Sequence, residues 1–179
     1  MEQSKKAQKK QQNDTKALIA EAVAAGLQAG RLQAASLAKD VYKATERRLY
    51  ALPVLEKKVL DDKEKLAEIQ EHGPQGRSQS IVRFQRSGYR ADPDEMLEAI
   101  IRDMLATIAA DEHEIGVIRS ALSKIENDVY YPAISGKYFN SQSDDMLAEL
   151  ISCDSTTIWR HRKRLVQKLS LLLYGSMAL

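Results

Sequence analysis

Residues 143–173 read SDDMLAELISCDSTTIWRHRKRLVQKLSLLL, and this stretch decides the fold. Its first part has the pattern of a short helix with Met146, Leu147, Leu150 and Ile151 on an apolar side. Ala148 is small enough for a second helix to approach closely there. Ser152-Cys153-Asp154 then makes a three-residue turn, and Asp154 is a helix-capping residue ahead of a long run starting at Ser155. Two helices joined in this way predict a helix-turn-helix, whose second helix enters the major groove of DNA. A helical wheel with Ile158 as the buried direction places Leu165, Leu169 and Leu172 on the same side. The opposite side presents Thr156, Arg160, Lys163 and Gln167, flanked by Trp159 and Arg164. Together with Ser155 at the helix start, these are the candidate DNA-facing residues. Lys and Arg neutralise phosphates, Arg matches the acceptor pair of guanine, and Thr and Gln bond base edges or phosphates. Trp159 has two readings, stacking on the nucleic acid or packing on a neighbouring helix. Arg162 falls nearer the buried side and is expected to pair with an acid on the preceding helix.

Working upstream, Asn140 to Ser143 form a polar break in which Ser141 or Ser143 can cap the next helix. Tyr130-Tyr131-Pro132-Ala133-Ile134 and Lys137-Tyr138-Phe139 read as a short helix or turn whose aromatics pack the domain. Before them, Asp111 and Glu114 have capping-box spacing and predict the start of a helix with Ile115, Ile118, Leu122 and Ile125 inward. An earlier helix is predicted from Asp92, with Pro93 in the first position, Glu95 completing a capping box, and a stripe at Leu97, Ile100, Ile101, Met104, Leu105 and Ile108. The C-terminal domain is thus drawn as 92–179.

Residues 73–91 open on Gly73-Pro74-Gln75-Gly76 and carry Arg77, Arg83, Arg86 and Arg90 with no acid, which marks a basic linker. Phe84 and Tyr89 lie among those arginines. Residues 15–72 are rich in Ala, Leu, Lys, Glu and Gln and predict a helical arm, either a kinked helix or a hairpin. Leu52, Val59 and Leu66 have heptad spacing, with Leu55 and Ile69 beside them, as in intramolecular packing or a coiled-coil homodimer. Pro53 is expected to kink or break the helix near Ala51. Residues 1–14 are polar, low in complexity and expected to be disordered.

The chain has 179 residues, 44% hydrophobic, with 8 Gly and 4 Pro, so it can bury a core but has too few turn signals for an all-β sandwich. The expectation is an all-α protein. The single Cys, Cys153, forms no intrachain disulfide and fits a reducing cytoplasm. Charge is polarised: residues 91–128 hold ten acids against three bases, while residues 154–179 hold five bases against Asp154 alone. Residues 17–36 follow a Lys-rich start, but Glu21, Gln28 and Arg31 interrupt the apolar run, against a signal peptide or membrane span. Gly26 and Gly30 match a weak small-residue helix-packing motif. His113 lies among acids but has no second His at ligand spacing, His72 and His161 being isolated, so no metal site is expected. Cys153 reads as a small buried hydrophobe. No phosphate-cradling loop or nucleophile elbow occurs, and the expectation is a protein without enzymatic activity, cofactor or small-molecule substrate.

Residues 146–160 resemble the helix-turn-helix of sigma-factor region four. Leu147-Ala148 stand at its Ile-Ala pair, Ile151 at its Leu, and Thr157-Ile158 at its Thr-Val, while Ser152 replaces the usual turn Gly. The flanks are similar to the ArpU/RinA-type late transcriptional regulators of phages and prophages. That similarity rests on Tyr130-Tyr131, Lys137-Tyr138-Phe139, the run from Thr157 to Leu165, the ending Leu173-Tyr174-Gly175, and Ala44 to Tyr50. It extends over roughly residues 40–175 and is most specific in the last forty. It implies a cytoplasmic activator of phage genes that binds double-stranded DNA and can contact RNA polymerase. Two rivals share these features: a DNA-binding packaging factor of the small-terminase kind, and a helical adaptor that binds proteins and no DNA.

Overall fold

The computed structural model describes residues 14–30, 40–72 and 93–178. Their regular structure is entirely helical, in agreement with the all-α expectation. Helix α1 covers residues 14–30, α2 Val41–His72, α3 Pro93–Ser123, α4 Pro132–Tyr138, α5 Asp144–Ile151 and α6 Ser155–Tyr174. A 3-10 turn, Gly175–Ala178, follows α6. The tail before Asp14, the 73–91 linker and the Asp92 cap lie outside the described residues. Among the described residues, no helix is long and apolar enough to cross a membrane.

Helix α2 starts where Asp40 Oδ1 accepts a hydrogen bond from the Lys43 amide at 3.0 Å. It continues through Pro53 without a break. The break expected near Ala51 does not occur, because Leu49 and Leu52, 0% and 1% exposed, bury the turn around it and offset the one hydrogen bond that proline removes. Leu52, Val59 and Leu66 are 1%, 6% and 8% exposed, so the heptad stripe is already covered within the chain. Gly26 and Gly30 face open space and mark no close helix approach.

Helix α3 is also continuous, where the capping-box spacing at Asp111 predicts a new start. No Gly or Pro interrupts Leu105 to Ile115, and the acids have other partners. Asp111 accepts from Lys58 Nζ at 2.6 Å, and Glu114 from Arg48 Nε at 2.6 Å.

Two compact units divide the chain, Met1–Leu27 with Lys57–Glu112, and Gln28–Glu56 with His113–Leu179. Each unit draws on described residues from both sides of 73–91, and that segment itself lies outside the described residues. The reason is that α2 and α3 pair in both. In the first unit Lys58 and Lys63 meet Asp111 and Glu112, and Ile100 and Ile108 of α3 are buried. In the second, Arg119 of α3 meets Glu56 of α2 at 2.6 Å.

The second unit carries the larger core, in which Leu49, Leu52, Ile118, Leu122, Ile125, Ile134, Leu165 and Leu169 pack together. Each such side chain contributes about 1.5–3 kcal/mol on burial. Tyr138 joins this core, its ring 4.8 Å from Tyr50 and its hydroxyl donating to Glu46 at 2.7 Å. Burial, reinforced by Glu46, drives the Tyr138 phenol far above its ordinary pKa. Tyr130, Tyr131 and Phe139 pack against the same core, as expected for the aromatic segment. The hydroxyls of Thr45 and Ser170, both buried, satisfy each other at 2.8 Å.

Candidate nucleic-acid interface

The site is built from α4, α5 and α6 of the second unit. Of the two candidate caps for α5 it is Ser143 that serves, its Oγ accepting from the Met146 amide at 3.3 Å. Helix α5 ends at Ser152, which takes the left-handed conformation at φ 58° and ψ 49°. This is the conformation that glycine adopts most readily at a helix end, and serine accepts it at a modest cost. The amides of Ser152 and Cys153 satisfy Glu149 and Ala148 carbonyls at 3.2 and 2.9 Å. Asp154 then turns to an extended conformation and caps α6. One carboxylate oxygen accepts from the Thr157 hydroxyl at 2.7 Å and the other from the Thr157 amide at 2.8 Å. These two bonds hold the Asp154 carboxyl below the usual range.

Behind the turn, Ala133, Leu147, Ala148 and Ile158 form a buried cluster, with Ile151 and Cys153 partly buried against it. Ala148 therefore does sit at a close approach, as its size suggests. Cys153 is half-buried rather than fully enclosed. Gly136 in α4 marks a second close approach. A Cβ there would lie 2.3 Å from Leu147 Cδ2 and 2.5 Å from Gln142 Oε1. Apolar spacing does not single out Gly136, although a glycine inside a helical segment is itself a signal of close packing.

Arg162 is 8% exposed and pairs with Asp144, the first residue of α5, as its inward position predicts. Nη2 lies 2.9 Å from Oδ2, and Nη1 bonds Oδ1. The Arg162 hydrogen bonds hold the Asp144 carboxyl below its ordinary value, against the opposing effect of burial.

The solvent side of α6 carries Thr156, Trp159, Arg160, Lys163, Arg164 and Gln167, all exposed, with Ser155 partly covered. Trp159 is 52% exposed and so is not packed into a neighbouring helix. Its ring has Lys163 Nζ 5.4 Å from the centroid, within cation–π range. Among the described residues, Arg160 and Lys163 have no ion-pair partner. Arg164 differs, because both oxygens of Asp128 accept from its Nη2, at 2.9 and 3.0 Å.

Three apolar assignments change. Leu172 is 46% exposed, because α6 buries Ile158, Arg162, Leu165, Val166 and Leu169 and the stripe then passes to Leu173. The buried side is centred toward Arg162 and Val166 and not on Ile158, which puts Leu172 at its edge. Met146 and Leu150 are 56% and 66% exposed, leaving Leu147 and Ala148 as the buried positions of α5. A helix of eight residues covered on one narrow side cannot bury four apolar positions.

Sequence spacing also misses a ring pair. Tyr130 stacks on His161 of α6 with centroids 3.6 Å apart and planes 2° apart. His161 Nδ1 is buried with no hydrogen-bond partner among the described residues. No local pattern links two residues so far apart in the chain. Among the described residues, no group of three or more His, Cys, Asp or Glu side chains is placed to hold a metal ion.

Comparison with family models, curated proteins and solved structures finds no match to the chain.

Proposed function

We propose that this protein is a sequence-specific regulator of transcription that binds double-stranded DNA, with α5, the Ser152–Asp154 turn and α6 acting as a helix-turn-helix. The observation that carries the reading is the division of α6 into two sides. Ile158, Arg162, Leu165 and Leu169 fix one side to the rest of the unit, while Thr156, Trp159, Arg160, Lys163 and Gln167 stand in solvent on the other. From Thr156 to Gln167 the helix rises about 16 Å, a length suited to lying in the major groove. Arg160 and Lys163, without a carboxylate partner among the described residues, supply the cations that phosphates or guanine edges require. Arg164, held by Asp128, serves as a backbone contact at most.

The resemblance of residues 146–160 to sigma region four, and of the flanks to phage late regulators, points to the same helix. It supports a role as an activator of phage or prophage genes, with RNA polymerase as a protein partner. The experiment is selection of duplexes from a randomised library by the full-length protein. A motif enriched by the wild type and not by the Arg160→Ala/Lys163→Ala variant supports the reading, and an inverted repeat in it would report a dimer. Failure to enrich any sequence, with no salt-sensitive binding, overturns it in favour of a protein adaptor.

A further inference from the structure

The turn between α3 and α4, residues 124–131, returns to α6 at two neighbouring places. Tyr130 stacks on His161, with ring centroids 3.6 Å apart. Both oxygens of Asp128 accept from Arg164 Nη2, at 2.9 and 3.0 Å. His161 and Arg164 are three residues apart and so are neighbours on the helix surface. The Asp128 carboxylate is itself fixed, because its Oδ1 also accepts from the Tyr130 amide at 3.0 Å. Tyr130 thus holds the helix with its ring and the carboxylate with its backbone. The Arg164 side chain is 49% exposed and that of Asp128 21%, so the guanidinium is nearer solvent than the acid that holds it. Among the described residues, Arg164 Nε and Nη1 have no partner, and they are donors that suit a second anion.

We infer that Asp128 is a positioning residue that aims Arg164 at a backbone phosphate of the bound duplex. The inference rests on the reading of α6 as the DNA-contacting helix. An ion pair half in water adds little to stability, so the consequence of this one lies in order. An unsupported arginine on a helix surface loses rotamer freedom when it meets a phosphate, and that loss weakens binding. Asp128 removes that freedom when the chain folds. A carboxylate near phosphates also repels them, and the two effects oppose each other. The anchoring of Asp128 by Tyr130, and its place behind the guanidinium, favour support over repulsion.

The test measures the affinity of the full-length protein for a selected duplex over a range of salt, for wild type, Arg164→Ala, Asp128→Asn and the double variant. Arg164→Ala should weaken binding with sequence preference retained, and the slope of log affinity on log salt should become shallower by about 0.9. Asp128→Asn keeps an oxygen for the Tyr130 amide and removes a negative charge. It should nevertheless weaken binding about two- to tenfold, the range for ordering one long side chain. In the Arg164→Ala background the same change should cause no loss, because Asp128 acts through Arg164. Asp128→Ser, whose hydroxyl can also accept from the Tyr130 amide, gives a second reading of the same cycle. Binding by the Asp128 variants equal to or tighter than wild type overturns the inference and makes Asp128 a bystander or a competitor of the phosphate. An equal loss in both backgrounds assigns Asp128 a purely structural role and also overturns it. Position 164 is exposed, so unchanged affinity and slope on Arg164→Ala overturn the inference whether or not the Asp128 variants fold. Absence of salt-sensitive binding by the wild type instead removes the DNA-reading premise, which separates the two failures.

Discussion

Arg162 of α6 reaches back across the turn to Asp144, the first residue of α5, and its two terminal guanidinium nitrogens bond the carboxylate. The arginine side chain is 9% exposed and the aspartate 28%. The pair therefore ties the start of one helix to the middle of the next. It fixes the attitude of the exposed α6 face relative to α5.

Replacing Arg162 with Met leaves Asp144 without its partner. The expected cost is about 2–3 kcal/mol, the range for losing hydrogen bonds between charged groups that are only partly screened. Urea unfolding of the variant measures it, and stability equal to the wild type would mean the pair is ornamental.

Two carboxyls near the turn, Asp144 and Asp154, are held below their ordinary range. A group depressed in the folded state stabilises the protein above its unfolded pKa of about 3.9. That contribution is lost as the pH falls through the folded value. The urea midpoint should therefore fall below about pH 4, and Asp144→Asn or Asp154→Asn should each flatten the decline while lowering the midpoint at neutral pH. An identical decline in wild type and variants would contradict the assignment.

Gly136→Ala forces a Cβ against Leu147 Cδ2, at 2.3 Å in the unrelaxed geometry. Gln142 can swing aside, but Leu147 is 1% exposed and enclosed. Overpacking of this kind costs about 1–3 kcal/mol. In a Leu147→Val background the same change should cost less, and a double-mutant cycle reads the coupling. Equal costs in both backgrounds would count against the close approach.

Trp159→Ala removes an exposed ring that contributes nothing to the buried core, so stability should stay within about 0.5 kcal/mol. Duplex affinity should fall several-fold, because the ring and Lys163 lie together on the proposed contact face. The chain has a single Trp, so its fluorescence reports on this face directly. Emission unaltered by saturating duplex would place the DNA elsewhere.

Much of this architecture was legible in the sequence, for identifiable reasons. Local chemistry marks Asp154 as a cap, Arg162 as an inward residue beside an acid, and Leu52, Val59 and Leu66 as one apolar stripe. Each depends on helical periodicity or on neighbours within one turn. What escaped depends on distant partners. Asp111 and Glu114 have the spacing of a cap, but Lys58 and Arg48 of α2 engage them and α3 runs on. Met146 and Leu150 have the composition of a core face, but among the described residues of the second unit nothing covers them. Leu172 lies on the same side as Ile158, but α6 buries the side that runs through Arg162, Val166 and Leu169 and leaves Leu172 at its edge. The Tyr130–His161 stack and the shared ownership of α2 and α3 by two units have no local signature at all.

The most direct test of the proposed role of α6 is the salt dependence of binding to a selected duplex, for wild type and for Arg160→Ala/Lys163→Ala. Counterion release predicts a steep linear fall of log affinity with log salt for the wild type. The variant should bind more weakly, with a slope shallower by about 2 if both cations meet phosphates, or with sequence preference lost if Arg160 bridges a guanine. Equal affinity, slope and sequence preference in the two proteins would contradict the account.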